Sequence, residues 1–283
     1  MIFNWGERTY VMGILNVTPD SFSGDGVLVQ PDVLSAAVAQ ARAFAAAGAD
    51  IIDIGGESTR PGSEPLSAQD ELARVLPVIR AVREAIDLPI SIDTYRAETA
   101  QQALAAGANW VNDVWGLQMD PDMPALVARA GCPVVIMHNN SRPKNVAQEN
   151  RLGGRYVGVV YRDLIGQVSA ELQASVELAL AAGVKKGQII LDPGIGFGKT
   201  VEQNLQLVNR LDKLKALGYP ILLGTSRKSF IGYTLNLPPE ERLEGTAATT
   251  SIGIDRGADI IRVHDVQAMV RVARMTDKLV RGR

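Results

Sequence analysis

The chain has 283 residues, 46% of them hydrophobic, with 29 Lys and Arg against 31 Asp and Glu, a formal net charge of −2 and one cysteine. A near-neutral balance gives no global attraction to nucleic acid or to an anionic membrane, and one cysteine closes no internal disulfide. The N-terminal residues have no basic region running into an apolar one, and the apolar stretch 36–54 is broken by Gln40, Arg42 and Asp50, so the expectation is a soluble cytoplasmic protein.

Residues 1–9 read as a short hairpin able to plug the bottom of a barrel. Eight short apolar runs follow, and each meets a polar residue that a buried strand does not need. Tyr10–Leu15 runs into Asn16, Ile51–Ile54 into Gly55-Gly56-Glu57, and Ile90–Ile92 into Asp93. Trp110-Val111 leads to Asn112, Val134–Met137 to His138, and Ile189–Leu191 to Asp192. Ile221–Leu223 opens into Gly224-Thr225-Ser226-Arg227-Lys228, while Ile260–Val263 carries Arg262 and is followed by His264.

Amphipathic helical patterns separate the runs, at 31–47, 68–85, 95–106, 121–130, 161–182, 201–217, 238–256 and 266–280. Several end at a glycine, where a left-handed residue closes a helix. Eight strand–helix repeats without a linker predict an α/β fold, a single-domain (β/α)8 TIM barrel over 1–283, with its chemistry where the strands end. The strand-to-helix connections are the long ones (16–30, 55–67, 138–160, 224–237), which gathers the chemically rich loops at one end. Cys132 precedes the fifth strand, on the opposite face, and reads as packing. The segment 138–160, with Arg142, Lys144, Arg151 and Arg155, lacks periodicity and reads either as a basic flap or as a solvated surface loop.

Asp192-Pro-Gly-Ile-Gly-Phe-Gly-Lys-Thr200 follows a strand and enters a helix, but its register fails both the phosphate-loop and the dinucleotide patterns. Its glycines read as letting backbone pass close to a flat ligand. Asp192 on the rim suits a guanidine-like edge, N–H beside NH2, with capping of the following turn as the structural alternative. Asp93 and Asn112 end adjacent strands, and an acceptor beside an amide suits a fused nitrogen heterocycle; a turn-forming Asp and a backbone-bonding Asn are the alternative. Lys228, Arg262 and His264 fall in the loops after strands seven and eight, where barrels commonly hold phosphate, although the two cations also suit neutralisation of nearby Asp residues. Asn16 ends strand one beside them, and a phosphate-bound Mg2+ keeps waters and needs few protein oxygens. No zinc pattern is present, nor an adjacent Ser–His or Cys–His pair, so no covalent nucleophile is assigned.

Met12-Gly-Ile-Leu-Asn-Val-Thr-Pro-Asp-Ser-Phe-Ser23, Gly55-Gly-Glu-Ser-Thr-Arg-Pro-Gly62, Ser91-Ile-Asp-Thr94, Val111-Asn-Asp-Val114, Asp192–Lys199, Gly224-Thr-Ser-Arg-Lys-Ser-Phe230 and Arg262-Val-His-Asp265 occur in this order. Together they resemble the dihydropteroate synthase family over essentially the whole chain. The resemblance implies joining of 6-hydroxymethyl-7,8-dihydropterin diphosphate to p-aminobenzoate, with Mg2+ present and diphosphate released. It further implies that Asp93, Asn112, Asp192, Gly224 and Lys228 hold the pterin, with Met137 and Phe197 lining its pocket and Arg262 against the ring. Asn16, Arg262 and His264 would hold the diphosphate, Asn16 its metal. Thr59, Arg60, Pro61 and Ser229 would shape the p-aminobenzoate site, and Thr18–Gly26 would close over it. A homodimer through the later helices is implied as well.

Two departures stand out. After Met137-His138 the chain reads Asn-Asn-Ser-Arg-Pro-Lys, where many members have a glycine-containing turn, and Ser23-Gly-Asp-Gly26 displaces the usual Asp-Gly-Gly by one position. The competing readings are a pterin-binding methyltetrahydrofolate:corrinoid methyltransferase module, which leaves the anion site unexplained, and a catalytically silent paralogue.

Overall fold

The computed structural model describes residues 3–17, 31–58 and 66–282. The order is β1 (Tyr10–Asn16), α1 (Pro31–Ala47), β2 (Ile51–Gly55), α2 (Ala68–Ala85), β3 (Ile90–Asp93), α3 (Ala97–Ala105), β4 (Trp110–Asp113), α4 (Met123–Ala130) and β5 (Val134–Met137). Next come the ribbon strands β6 (Val146–Ala147) and β7 (Arg155–Tyr156), then α5 (Leu164–Ala181), β8 (Ile189–Asp192), α6 (Val201–Asn209) and α7 (Leu211–Lys215). β9 (Leu222–Leu223), α8 (Ser229–Leu235), α9 (Leu243–Asp255), β10 (Ile260–Val263) and α10 (Val266–Arg281) complete it.

Eight parallel strands pair in the order β8-β5-β4-β3-β2-β1-β10-β9, and a parallel bridge between Leu191 and Ile221 brings the two ends together. The result is a (β/α)8 barrel with helices outside, as the strand–helix repeat requires. Among the described residues, no helix is long and apolar enough to cross a membrane.

The alternation of side chains along each strand divides the apolar residues into two populations. Tyr10, Met12, Ile51, Trp110, Val135, Ile190, Leu222 and Ile260 pack together inside the barrel. Their neighbours Val11, Ile52, Val111, Val134, Ile136, Leu191, Leu223 and Ile261 join the larger core between sheet and helices. Counting two residues onward from an interior position lands on Asp53, Asn112, Met137, Asp192, Gly224 and Arg262. The parity that buries a greasy plug at the bottom therefore points a polar ring into the mouth.

Residues 3–9 form a turn, with the Glu7 N–H donating to the Asn4 carbonyl, and not the two strands of a hairpin. Aromatic packing decides the shape. Phe3 lies 5.3 Å from Trp5, 4.8 Å from Tyr10 and 5.0 Å from Trp110, so among the described residues rings, not a second strand, close the barrel floor.

Two further departures bear on the mouth. The stretch 224–237, expected as loop, contains α8, whose Phe230 and Ile231 are buried and whose end is closed by left-handed Asn236. Helix α9 correspondingly starts at Leu243, not near Pro238. Between them the buried Arg242 donates to the carbonyls of Leu237 (3.0 Å), Arg227 (2.9 Å) and Leu152 (2.9 Å), tying the loop after β9 to the loop after β5. That long basic loop carries the antiparallel ribbon β6–β7 and is pinned by Tyr233 donating to the Gly153 carbonyl at 3.0 Å.

Candidate active site

Neighbouring strand ends set the spacing of the mouth. In register, Asn16 pairs with Gly55, Gly55 with Asp93, and Asp93 with Asn112, while Met137 pairs with Asp192. Four strands thus present their last inward residue at nearly one level, which no segment of the sequence shows by itself.

Arg262 crosses this ring. Its Nε donates to Asp53 at 2.6 Å and its Nη2 to Asp93 at 2.7 Å, and the same Asp53 oxygen accepts the Asn112 amide at 3.1 Å. Burial works against the Arg262 charge, but Asp53 and Asp93 hold the guanidinium in its protonated form more firmly than usual. Burial also pushes the Asp93 carboxyl up to about 7 against the pull of Arg262, with Asp53 adding to the rise. The ion-pairing alternative considered for Arg262 is therefore realised on one edge of its fork.

Asp192 is divided in the same way. One oxygen accepts the Gly194 N–H at 2.7 Å and caps the turn, and burial raises its pKa while Lys228 opposes that rise. Among the described residues, no donor bonds its second oxygen. Lys228 donates to the Ile195 carbonyl and lies 4.8 Å from the centre of the half-buried Phe197 ring. Burial lowers Lys228 to about 8, against the attraction of Asp192. A side chain at Gly224 would come within 3.8 Å of the Lys228 ammonium and 3.9 Å of Arg262, so glycine there keeps the space between them open.

His264 stands just beyond β10, with its backbone N–H on the Ser226 hydroxyl at 3.1 Å and Nδ1 3.0 Å from the same oxygen. The structure thus gathers Asp93, Asn112, Asp192, Gly224, Lys228 and Arg262 at the mouth, with Met137 and Phe197 beside them and Asn16 and His264 at the ends of β1 and β10. Ser229 opens α8 next to Lys228. Thr59, Arg60 and Pro61, and the first loop Thr18–Gly26, lie outside the described residues.

Two functional-looking groups escaped the sequence reading. Asp53 was legible as a lone acid inside Ile51–Ile54 at interior parity, and it is fully buried. Lys199, left over from the failed phosphate-loop register, is also buried. Two glycines of that segment also have a packing role. A Cβ on Gly194 would fall 1.8 Å from the His138 carbonyl, and one on Gly198 would fall 2.3 Å from the Asn140 backbone. Both approach the neighbouring loop closely, while a Cβ on Gly196 would fall 3.1 Å from the Lys228 side chain.

A family model described as pterin binding enzyme matches residues 12–264. The chain is 52% identical over 280 residues to a dihydropteroate synthase of Clostridium beijerinckii, covering 99% of this chain and 97% of that protein. Among solved structures it superposes on a dihydropteroate synthase from Clostridium difficile in the presence of pteroic acid, with TM-score 0.89, 48% identity and coverage of 99% and 100%. It also superposes on the Xanthomonas albilineans enzyme with 4-aminobenzoic acid, with TM-score 0.85, 39% identity and coverage of 96% and 93%.

Proposed function

The chain belongs to the pterin-binding enzyme family, among its dihydropteroate synthases, and from that premise we propose how its own residues join 6-hydroxymethyl-7,8-dihydropterin diphosphate to p-aminobenzoate. The observation that carries the proposal is the set of inward residues at the strand ends: Asp93 and Asn112 are paired in register, Asp192 stands two residues further along β8 beside Met137, and among the described residues one Asp192 oxygen is left for an incoming donor. Asp192 receives the guanidine-like edge of the pterin, while Asn112 and Lys228 meet its heteroatoms. Met137 and Phe197 cover the ring's faces, and Arg262 packs against it while its remaining N–H groups reach toward phosphate.

Asn16, Arg262 and His264 hold the diphosphate. Gly55 lies between Asn16 and Asp93 in register, and a Cβ there would only touch Asp93, at 3.4 Å, so no side chain stands between the two. One neutral oxygen beside open space fits Mg2+, which keeps waters and takes phosphate oxygens. Bound there with Asn16, Mg2+ would supply charge stabilisation to the departing diphosphate. Arg262 and His264 act on the same developing charge. Departure leaves an electron-poor methylene conjugated with the pterin, and the Asp93 carboxylate stabilises that cation. The amine of p-aminobenzoate, held by Thr59, Arg60, Pro61 and Ser229, then attacks in line without a strong base. No residue becomes covalently attached. The protein works as a cytoplasmic homodimer.

The corrinoid methyltransferase and silent-paralogue readings are not favoured, because relatives matched over nearly the full chain are synthases. The test is diphosphate release by purified protein. Release should require both pterin diphosphate and Mg2+, p-aminobenzoate should convert the pterin to dihydropteroate, and sulfonamides should compete. Tight pterin binding without diphosphate release would instead establish the silent paralogue.

A further inference from the structure

The segment Gly194–Lys199 curls between two ammonium groups. On one side Lys228 takes the Ile195 carbonyl. On the other, Lys199 uses its three N–H bonds on the Gly194 carbonyl (2.9 Å), the Phe197 carbonyl (2.9 Å) and His138 Nδ1 (2.9 Å). The Gly194 and Phe197 carbonyls therefore turn toward Lys199 while that of Ile195 turns toward Lys228. This arrangement fixes where Phe197 and the Lys228 ammonium sit.

His138 is a prepared acceptor. It is 4% exposed, and burial with the nearby Lys199 charge lowers its pKa to about 3, so the ring is neutral. Because Nδ1 accepts from Lys199, the proton lies on Nε2, which donates to Glu171 at 2.9 Å. The Asn140 amide donates to the same Glu171 oxygen at 2.8 Å. A chain of contacts thus runs from α5 through the loop after β5 to the loop after β8. Gly194 and Gly198 let the two loops meet backbone to backbone, and the lysine is buried beneath them.

We propose that Lys199, held by His138 and Glu171, is a positioning residue for the pterin: it sets the Phe197 wall and the Lys228 ammonium without touching the substrate itself. The inference rests on the pterin reading of the mouth. It assigns a role to the one lysine of the Gly-Phe-Gly-Lys segment that the reaction leaves unused.

The test is steady-state kinetics of Lys199→Met, which keeps the stem and removes the three donors. The KM for pterin diphosphate should rise by at least about tenfold, the loss expected for a buried charge-assisted bond network. The kcat at saturating pterin and the KM for p-aminobenzoate should stay near wild type. Glu171→Leu, on a half-exposed residue of α5, should shift the pterin KM in the same direction by less, and the double variant should fall short of the product of the two effects. If Lys199→Met does not fold, Glu171→Leu and His138→Gln carry the test through the same KM. An unchanged pterin KM in whichever of these variants folds, or a fall in kcat with both KM values altered together, overturns the proposal. Wild-type protein that forms no dihydropteroate would defeat the pterin reading itself, which is a separate result.

Discussion

Asp53 and Arg262 meet at 2.6 Å inside the barrel although 209 residues separate them. The pair joins the second strand to the eighth, and because the same carboxylate oxygen also takes the Asn112 amide at 3.1 Å, one buried acid orients a cation and an amide of the mouth. Asp53→Asn keeps the shape and drops the charge, and kcat/KM for pterin diphosphate should fall by at least about tenfold as Arg262 loses its charged anchor. Asp53→Ala leaves a largely buried guanidinium with one fewer partner, and urea unfolding should register a loss of about 3–5 kcal/mol. Wild-type kinetics in a folded Asp53→Asn protein would show that the anchor is dispensable.

Asp192→Asn should weaken pterin binding by about 1–3 kcal/mol, because buried donors on the ligand lose a charged acceptor. The Gly194 cap needs only one oxygen, so the turn should survive in the variant. Calorimetry with a dihydropterin reads the difference. Unchanged affinity would reduce Asp192 to its capping bond.

The pH profile follows from two opposed shifts. Asp93 is raised to about 7, so its carboxylate form grows as pH rises through that value. Lys228 is lowered to about 8, so its charge is lost as pH climbs further. Their product is a bell in kcat/KM for pterin diphosphate, rising around pH 7 and falling around pH 8. Lys199, lowered to about 7 by burial, loses its charge in the window where Asp93 gains its own and so blunts the rise. Asp93→Asn should abolish the rising limb, and Lys228→Arg should move the falling limb upward, since a guanidinium does not titrate in this range. A falling limb unaltered by Lys228→Arg would remove that charge from the account.

Most of the barrel was legible because its strands are short apolar runs ending at polar residues, and period-two alternation does not depend on contacts far away in the chain. Asp93, Asn112 and Asp192 were readable for the same reason: each stands where an apolar run stops. Asp53 was passed over, although its interior parity was readable, because an acid inside such a run looks like an interruption until its partner from β10 is known. The floor was misread because Phe3, Trp5, Tyr10 and Trp110 form a ring cluster, and ring stacking leaves no periodic trace. Helix α8 was missed because its apolar residues number too few for a pattern, and Arg242 completes its surroundings from beyond the helix.

Arg96 supplies the prediction for the second loop. It donates to Glu57 at 2.7 Å and to the Leu66 carbonyl at 2.6 Å, one contact on each side of 59–65, and to the buried Glu71 at 2.8 Å. Arg96→Met should raise the KM for p-aminobenzoate by about tenfold while the pterin KM stays near wild type, since two of the lost bonds flank Thr59, Arg60 and Pro61 and none reaches the pterin residues. Equal rises in both constants would make the cluster a general support of the barrel.

The most direct measurement is a crystal structure of this protein with a dihydropterin bound. The account predicts the bicyclic ring inside the barrel mouth, its guanidine-like edge bonded to the second oxygen of Asp192, Asn112 within hydrogen-bond distance and Phe197 against one face. A pterin seated outside the strand ends, with the Asp93, Asn112 and Asp192 side chains untouched, would contradict it.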